Sequence, residues 1–254
     1  MKAPHGIRKN FRHKEDFMKK MILITSLVAV LVSLGCTHAL QITNADDYFS
    51  PPAPPLQKPL KLGVISSSVT DVRNSRYVNA VVDALQRSGN FERVLYPYSL
   101  AVNQGQADLL IDIAVNPKYD GSGQNFVINW PGFLIFAPAI WGYKYNADID
   151  TRVSLTNLKD NSTKQVAVPM HYVFRHAAMN RTWTEVSWLE VSVIALVGGV
   201  TFTGYDESVT PEFISAVSPN YGSYVSKKIV DAISNEVVPN TPGLLTSRQS
   251  RGGL

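Results

Sequence analysis

From Tyr145 to Leu155 the chain alternates with a period of two. Tyr145, Ala147, Ile149, Val153 and Leu155 fall on one side; Asn146, Asp148, Asp150, Arg152 and Ser154, with Lys144 before them, fall on the other. Successive side chains of a strand point to opposite faces, so this segment reads as a strand with one buried and one wet face. Lys159-Asp160-Asn161-Ser162 is turn chemistry, and Gln165 to Phe174 returns as its partner, which makes a hairpin. Ala107 to Val115 repeats the pattern, with Leu109, Ile111, Ile113 and Val115 opposite Asp108, Leu110, Asp112 and Ala114. The fold must therefore contain an amphipathic sheet.

Helical signals surround these strands. Leu60 to Ser66 reads as a first strand, and Asn74 and Ser75 as caps of a helix with Tyr77, Val81, Ala84 and Leu85 inward, ending at Gly89. Phe91 to Tyr96 is a second short strand, stopped by Pro97. Thr182 and Glu185 form a capping box that opens a helix carrying Val186, Leu189, Val193 and Leu196 to Gly198-Gly199. Thr210-Pro211-Glu212 and Ser218-Pro219 both read as helix starts, the second with Tyr221, Val225, Ala232 and Ile233 inward and Lys227 and Lys228 outward. The expected fold class is α+β: a single domain over residues 60–238, with a β-α-β-β core, a β-hairpin, C-terminal helices and an apolar insertion between strands. Residues 239–254 carry no periodicity and read as a tail. No internal repeat is visible.

The net charge of +4 and pI near 9.1 belong to one end of the chain. Residues 1–35 hold Lys2, Arg8, Lys9, Arg12, Lys14, Lys19 and Lys20 against Glu15 and Asp16, and the remainder is slightly acidic. Nucleic-acid binding needs clustered Lys and Arg to neutralise phosphates, so no nucleic-acid partner is expected. Met21 to Leu34 is uncharged, too short for a bilayer core of about 30 Å, and preceded by Lys19-Lys20. This is the layout of a secretory signal. Met18 is a natural start for it, so residues 1–17 read as an upstream extension, a long charged region being the alternative.

The run ends in Val32-Ser33-Leu34-Gly35-Cys36, which resembles a bacterial lipoprotein signal, apart from Ser33 where an aliphatic residue is more common. The resemblance implies cleavage between Gly35 and Cys36, acylation of Cys36, and an anchor in the membrane through the acyl chains. Each buried CH₂ contributes roughly 0.8 kcal/mol, so several chains hold firmly. Thr37 after the cysteine, rather than Asp, implies the outer membrane, facing the periplasm. Cys36 is the one cysteine of the chain, so a disulfide is excluded. Residues 36–59 then read as the lipidated cysteine and a tether, because Pro51, Pro52, Pro54, Pro55 and Pro59 favour extended geometry.

Gly121 to Tyr143 contains no charged residue over 23 positions. Pro131 and Pro138 argue against a transmembrane helix, at about 3 kcal/mol each. Two readings stand: a buried connection over the sheet, or an apolar flap that touches lipid or a neighbouring subunit. Trp130, Phe133, Phe136, Trp141 and Tyr143 are the candidate interaction surface under the second reading. Val191 to Tyr205 is a second uncharged run, read as a core helix followed by a strand.

No catalytic constellation is visible, and the chain is not expected to be an enzyme or to need a cofactor or metal. There is no G-x-S-x-G elbow and no phosphate-cradling glycine loop. Asp108, Asp112, Asp148 and Asp150 fall on wet strand faces, and His171 and His176 point to opposite faces of a strand. The acylated cysteine, the proline segment and the β-α-β-β order with Tyr77, Val81 and Leu85 resemble periplasmic lipoproteins of the CsgG, PelC and TolB-amino-domain kind. That resemblance covers roughly Leu60 to Val168. It implies a non-enzymatic component of an envelope assembly or secretion accessory complex, as a homo-oligomer or with other envelope proteins. The alternative is a monomeric periplasmic regulator that docks an envelope enzyme.

Overall fold

The computed structural model describes residues 20–21, 39–42, 45–50, 56, 59–67, 71–130, 141–177 and 203–237. Cys36, Gly35, Phe133, Phe136, the helix expected from Thr182, most of the Val191–Tyr205 run and the tail lie outside them. Within them the order is β1 (Ala39–Ile42), α1 (Ala45–Tyr48), β2 (Leu60–Ile65), α2 (Val72–Arg87), β3 (Phe91–Leu95), α3 (Leu100–Asn103) and β4 (Leu109–Gly121). Then follow α4 (Gln124–Asn129), β5 (Tyr143–Asn157), β6 (Thr163–His176), a 3₁₀ turn at Glu207–Val209 and α5 (Thr210–Val237). The six strands form one sheet in the order β1-β6-β5-β4-β2-β3. β2 is parallel to β3, with Leu62 beside Val94, and parallel to β4, with Val64 beside Ile111. The class is α+β, as the alternation and helix signals together require.

The described residues form two compact units. One draws on the described residues within 40–119, 146–173 and 206–237, the other on 20–21, 39, 120–130, 141–145, 174–177 and 203–205.

In the first unit, α2 buries Tyr77, Val78, Val81, Val82 and Leu85. α5 buries Phe213, Val217, Tyr221, Val225 and Ile229 at four-residue spacing. The sheet contributes Leu62, Val64, Ile111, Ile113, Ile149, Val153 and Tyr172. The two helices meet at Gly222, where a Cβ would stand 2.3 Å from the Ala80 carbonyl oxygen. Only glycine allows that crossing. Tyrosine hydroxyls buried among these layers find partners, as buried polar groups must. Tyr77 Oη lies 2.9 Å from Tyr119 Oη, and Tyr221 Oη 2.7 Å from Thr151 Oγ1. The Tyr77 and Tyr221 rings meet edge to face at 5.0 Å. Burial pushes the Tyr77, Tyr172 and Tyr221 hydroxyls far above the usual tyrosine range.

Three local expectations are corrected. α2 is capped by Asp71, not by Asn74 or Ser75: Asp71 is extended, and its carboxylate accepts the Arg73 N–H at 2.9 Å. A carboxylate also complements the positive end of the helix dipole. Ser75 sits inside the first turn and donates its hydroxyl to the Val72 carbonyl.

The two C-terminal helix starts are one helix of 28 residues that runs through Pro219. An interior proline costs about 3 kcal/mol, and each large apolar side chain buried returns about 1.5–3. Val217 before it and Tyr221, Val225 and Ile229 after it are fully buried, so continuity wins. Ser218 and Ser223 hydroxyls donate to the Ile214 and Pro219 carbonyls around the proline.

The third correction concerns the tether. Residues 39–42 are a strand beside β6, and Tyr48 at the end of α1 reaches α5. The Tyr48 ring stacks on Tyr224 at 5.9 Å and its hydroxyl donates to Asn220 Oδ1 at 3.1 Å. The Lys227 ammonium donates to Ser50, at both its carbonyl and its hydroxyl oxygen. An aromatic ring and an ammonium donor, neither visible as periodicity, attach a segment whose composition reads as spacer.

Candidate interaction surface

α4 is inside out. Of its six residues, Asn125 and Asn129 are fully buried while Val127 is 71% exposed. An amphipathic helix of a globular protein normally does the reverse. Burying two amides is tolerable only if they are hydrogen-bonded. Asn125 behaves as a short piece of strand: its Nδ2 donates to the Lys144 carbonyl at 3.0 Å and its Oδ1 accepts the Lys144 N–H at 2.9 Å. Asn129 Nδ2 donates to the Asn125 carbonyl at 2.8 Å, while its Oδ1 is buried with no hydrogen-bond partner among the described residues. The Asn125 amide thus fastens α4 to the start of β5 by its polar side. Its apolar side is left outward. Phe126, half-buried, stacks almost parallel on Trp130 at 5.8 Å, and Trp130 is 39% exposed.

Two glycines shape the backbone here. Gly121 ends β4 where a Cβ would come within 2.0 Å of the Thr203 carbonyl oxygen. Gly142 has φ +75° and is crowded at 3.0 Å by Arg175 and His176, so both space and backbone geometry require glycine. Beside it, Trp141 is 50% exposed and its carbonyl accepts Arg175 Nη1–H at 3.0 Å.

Of the five residues named from the sequence, Trp130 and Trp141 carry exposed rings, and Phe133 and Phe136 lie outside the described residues. Tyr143 is different. It is fully buried, and it belongs to the core rather than to an exposed face. The physical reason is the same period of two that marks β5: extended back from Tyr145, it puts Tyr143 on the inward side. Val127 was missed, because α4 carries asparagine where an apolar residue would normally signal the inward face.

Two of the strand carboxylates accept backbone N–H groups. Asp108 Oδ2 accepts the Lys61 N–H at 3.0 Å, and Asp112 Oδ1 accepts the Ser67 N–H at 2.9 Å. Asp148 lies 2.5 Å from His171 Nδ1 on the wet face. A groove of about 360 Å³ runs between the end of α2 and α5. Arg87, Lys227 and Asp231 are among the residues that line it. Among the described residues no three His, Cys, Asp or Glu side chains gather to hold a metal, and no helix is long and apolar enough to cross a membrane.

No family model matches the chain, and no curated protein matches it in sequence. Among solved structures it is similar to the PelC dodecamer from Paraburkholderia phytofirmans, at 12% identity and a TM-score of 0.28, over 72% of this chain and 97% of that one. It is also similar to a candidate lipoprotein from Caulobacter crescentus CB15, at 10% identity and a TM-score of 0.33, over 68% and 89%. At such low identity and TM-scores the functional reading rests on the residues of this chain.

Proposed function

We propose that this protein is a non-enzymatic lipoprotein, anchored in the outer membrane through Cys36 and facing the periplasm, that joins an envelope assembly through the apolar side of the Gly121–Tyr143 segment. The inverted helix α4 carries this reading. A helix that buries Asn125 and Asn129 and exposes Val127 and Trp130 gives up solvation of two amides and leaves apolar surface in water. Large exposed apolar patches mark contact sites, and here the contact is with a protein neighbour in the assembly.

The test is Val127→Ser with Trp130→Ser in the full chain, solubilised in detergent. Both side chains are outside the core, so the melting temperature should move by no more than a few degrees, while the native mass falls towards that of a monomer. Retention of an oligomeric mass, or a monomeric mass already in the unsubstituted protein, would remove the assembly role. A large loss of melting temperature would return the segment to core lining.

Anchoring is tested separately. Cys36→Ser removes the one thiol that can be acylated. The variant should appear in the soluble fraction of cells, where the unsubstituted protein sediments with membranes after a salt wash. Quantitative membrane retention of Cys36→Ser would overturn the lipoprotein reading.

A further inference from the structure

We infer that the acyl anchor acts through a leash only three residues long, so that the β1 edge of the sheet lies against the lipid surface. The inference rests on the acylation of Cys36 proposed above. β1 begins at Ala39 and is hydrogen-bonded beside β6. From Cys36 to Ala39 an extended chain reaches at most about 11 Å, at 3.3–3.6 Å per residue. The segment after β1 is also held: Tyr48 on Tyr224 and Asn220, and Ser50 on Lys227. The prolines therefore come after two attachments, and they join α1 to β2 instead of separating the fold from the membrane. The sheet order places β1 and β3 at opposite edges, five strand spacings apart, or about 24 Å at ~4.8 Å each. The β1 end is thus confined to the headgroup region, and a sheet that stands on this edge carries β3 out of its reach. Gln41, in the middle of β1, is exposed and would face or flank the headgroups; Arg93, exposed on β3, would not.

The position can be read with single thiols, because acylation consumes the chain's own cysteine. Gln41→Cys and Arg93→Cys are made in the full, natively processed chain, labelled with an environment-insensitive fluorophore, and bound to phosphatidylethanolamine/phosphatidylglycerol vesicles carrying nitroxide headgroups. The expected result is loss of more than half the emission at position 41 and almost none at 93. Inserting about ten Gly/Ser residues between Thr37 and His38 adds a flexible reach of roughly 18 Å and should abolish the difference. Equal, weak quenching at both positions in the uninserted chain would overturn the leash and leave the anchor intact. Failure of the unsubstituted chain to float with vesicles would overturn the acylation reading, and the leash with it.

Discussion

Replacing Gly222 by alanine should lower the stability of the fold by about 1–2 kcal/mol net, although alanine is the better helix former. In an open helix the change would add about 1 kcal/mol of stability, because glycine loses more backbone freedom on folding. Here the new methyl would stand 2.3 Å from the Ala80 carbonyl oxygen and 2.6 Å from its carbon. Both obstacles are backbone, so no rotamer change relieves them. The helices must separate, and overpacking of this kind costs about 1–3 kcal/mol or more while loosening the contacts of Tyr77, Tyr221 and Val81. Urea denaturation of Gly222→Ala against the unsubstituted protein gives the difference directly. The double substitution Gly222→Ala, Ala80→Gly separates the causes. It deletes only the Ala80 methyl and leaves the carbonyl in place, so it should not rescue. Unchanged or increased stability in Gly222→Ala would show that α2 and α5 do not cross so closely.

Alkaline pH should unfold the protein through its buried tyrosines. Tyr77, Tyr172 and Tyr221 have hydroxyl pKa values raised chiefly by burial, far above the value of about 10 that the unfolded chain shows. A group with a raised folded pKa contributes stability that is complete below its unfolded pKa. That stability is lost as the pH climbs from the unfolded value towards the folded one. Each such tyrosine costs about 1.4 kcal/mol per pH unit above 10, so the three together remove about 4 kcal/mol within the first unit. Stability should be flat with respect to these groups up to about pH 10 and then fall steeply. Tyrosinate absorbance from the core should rise only together with loss of the tertiary circular dichroism. Tyr172→Phe, which deletes a hydroxyl that donates to the Met170 sulfur at 3.4 Å, should reduce the slope by about a third. Titration of all the chain's tyrosines before unfolding would contradict the burial of this group.

Both predictions concern positions with different visibility in the chain. Tyr77 and Tyr221 stand at inward positions of helical periods and were legible as core. Nothing local marks Gly222, since the need for a bare backbone arises only where another helix crosses it. The same division runs through the candidate surface. Trp130 and Trp141 stood out as aromatic residues in an uncharged run, and they carry exposed rings. Tyr143 looked equivalent by composition, but its register with Tyr145 sends it inward. Val127 had no signal, because Asn125 beside it is buried by two bonds to Lys144, which lies 19 residues away.

Periodicity by itself determined the α+β class, the amphipathic β4, β5 and β6, and the inward faces of α2 and α5. Those properties depend on spacing along one element, and spacing is written in the chain. Tertiary structure decided the sheet order, the passage of α5 through Pro219, the docking of residues 39–50 and the inversion of α4. Each of these turns on a contact between distant residues: apolar burial outweighing a missing hydrogen bond, a tyrosine finding another ring, a side-chain amide taking the place of a strand. Local pattern carries no record of such partners, because their free energy exists only once the chain has brought them together.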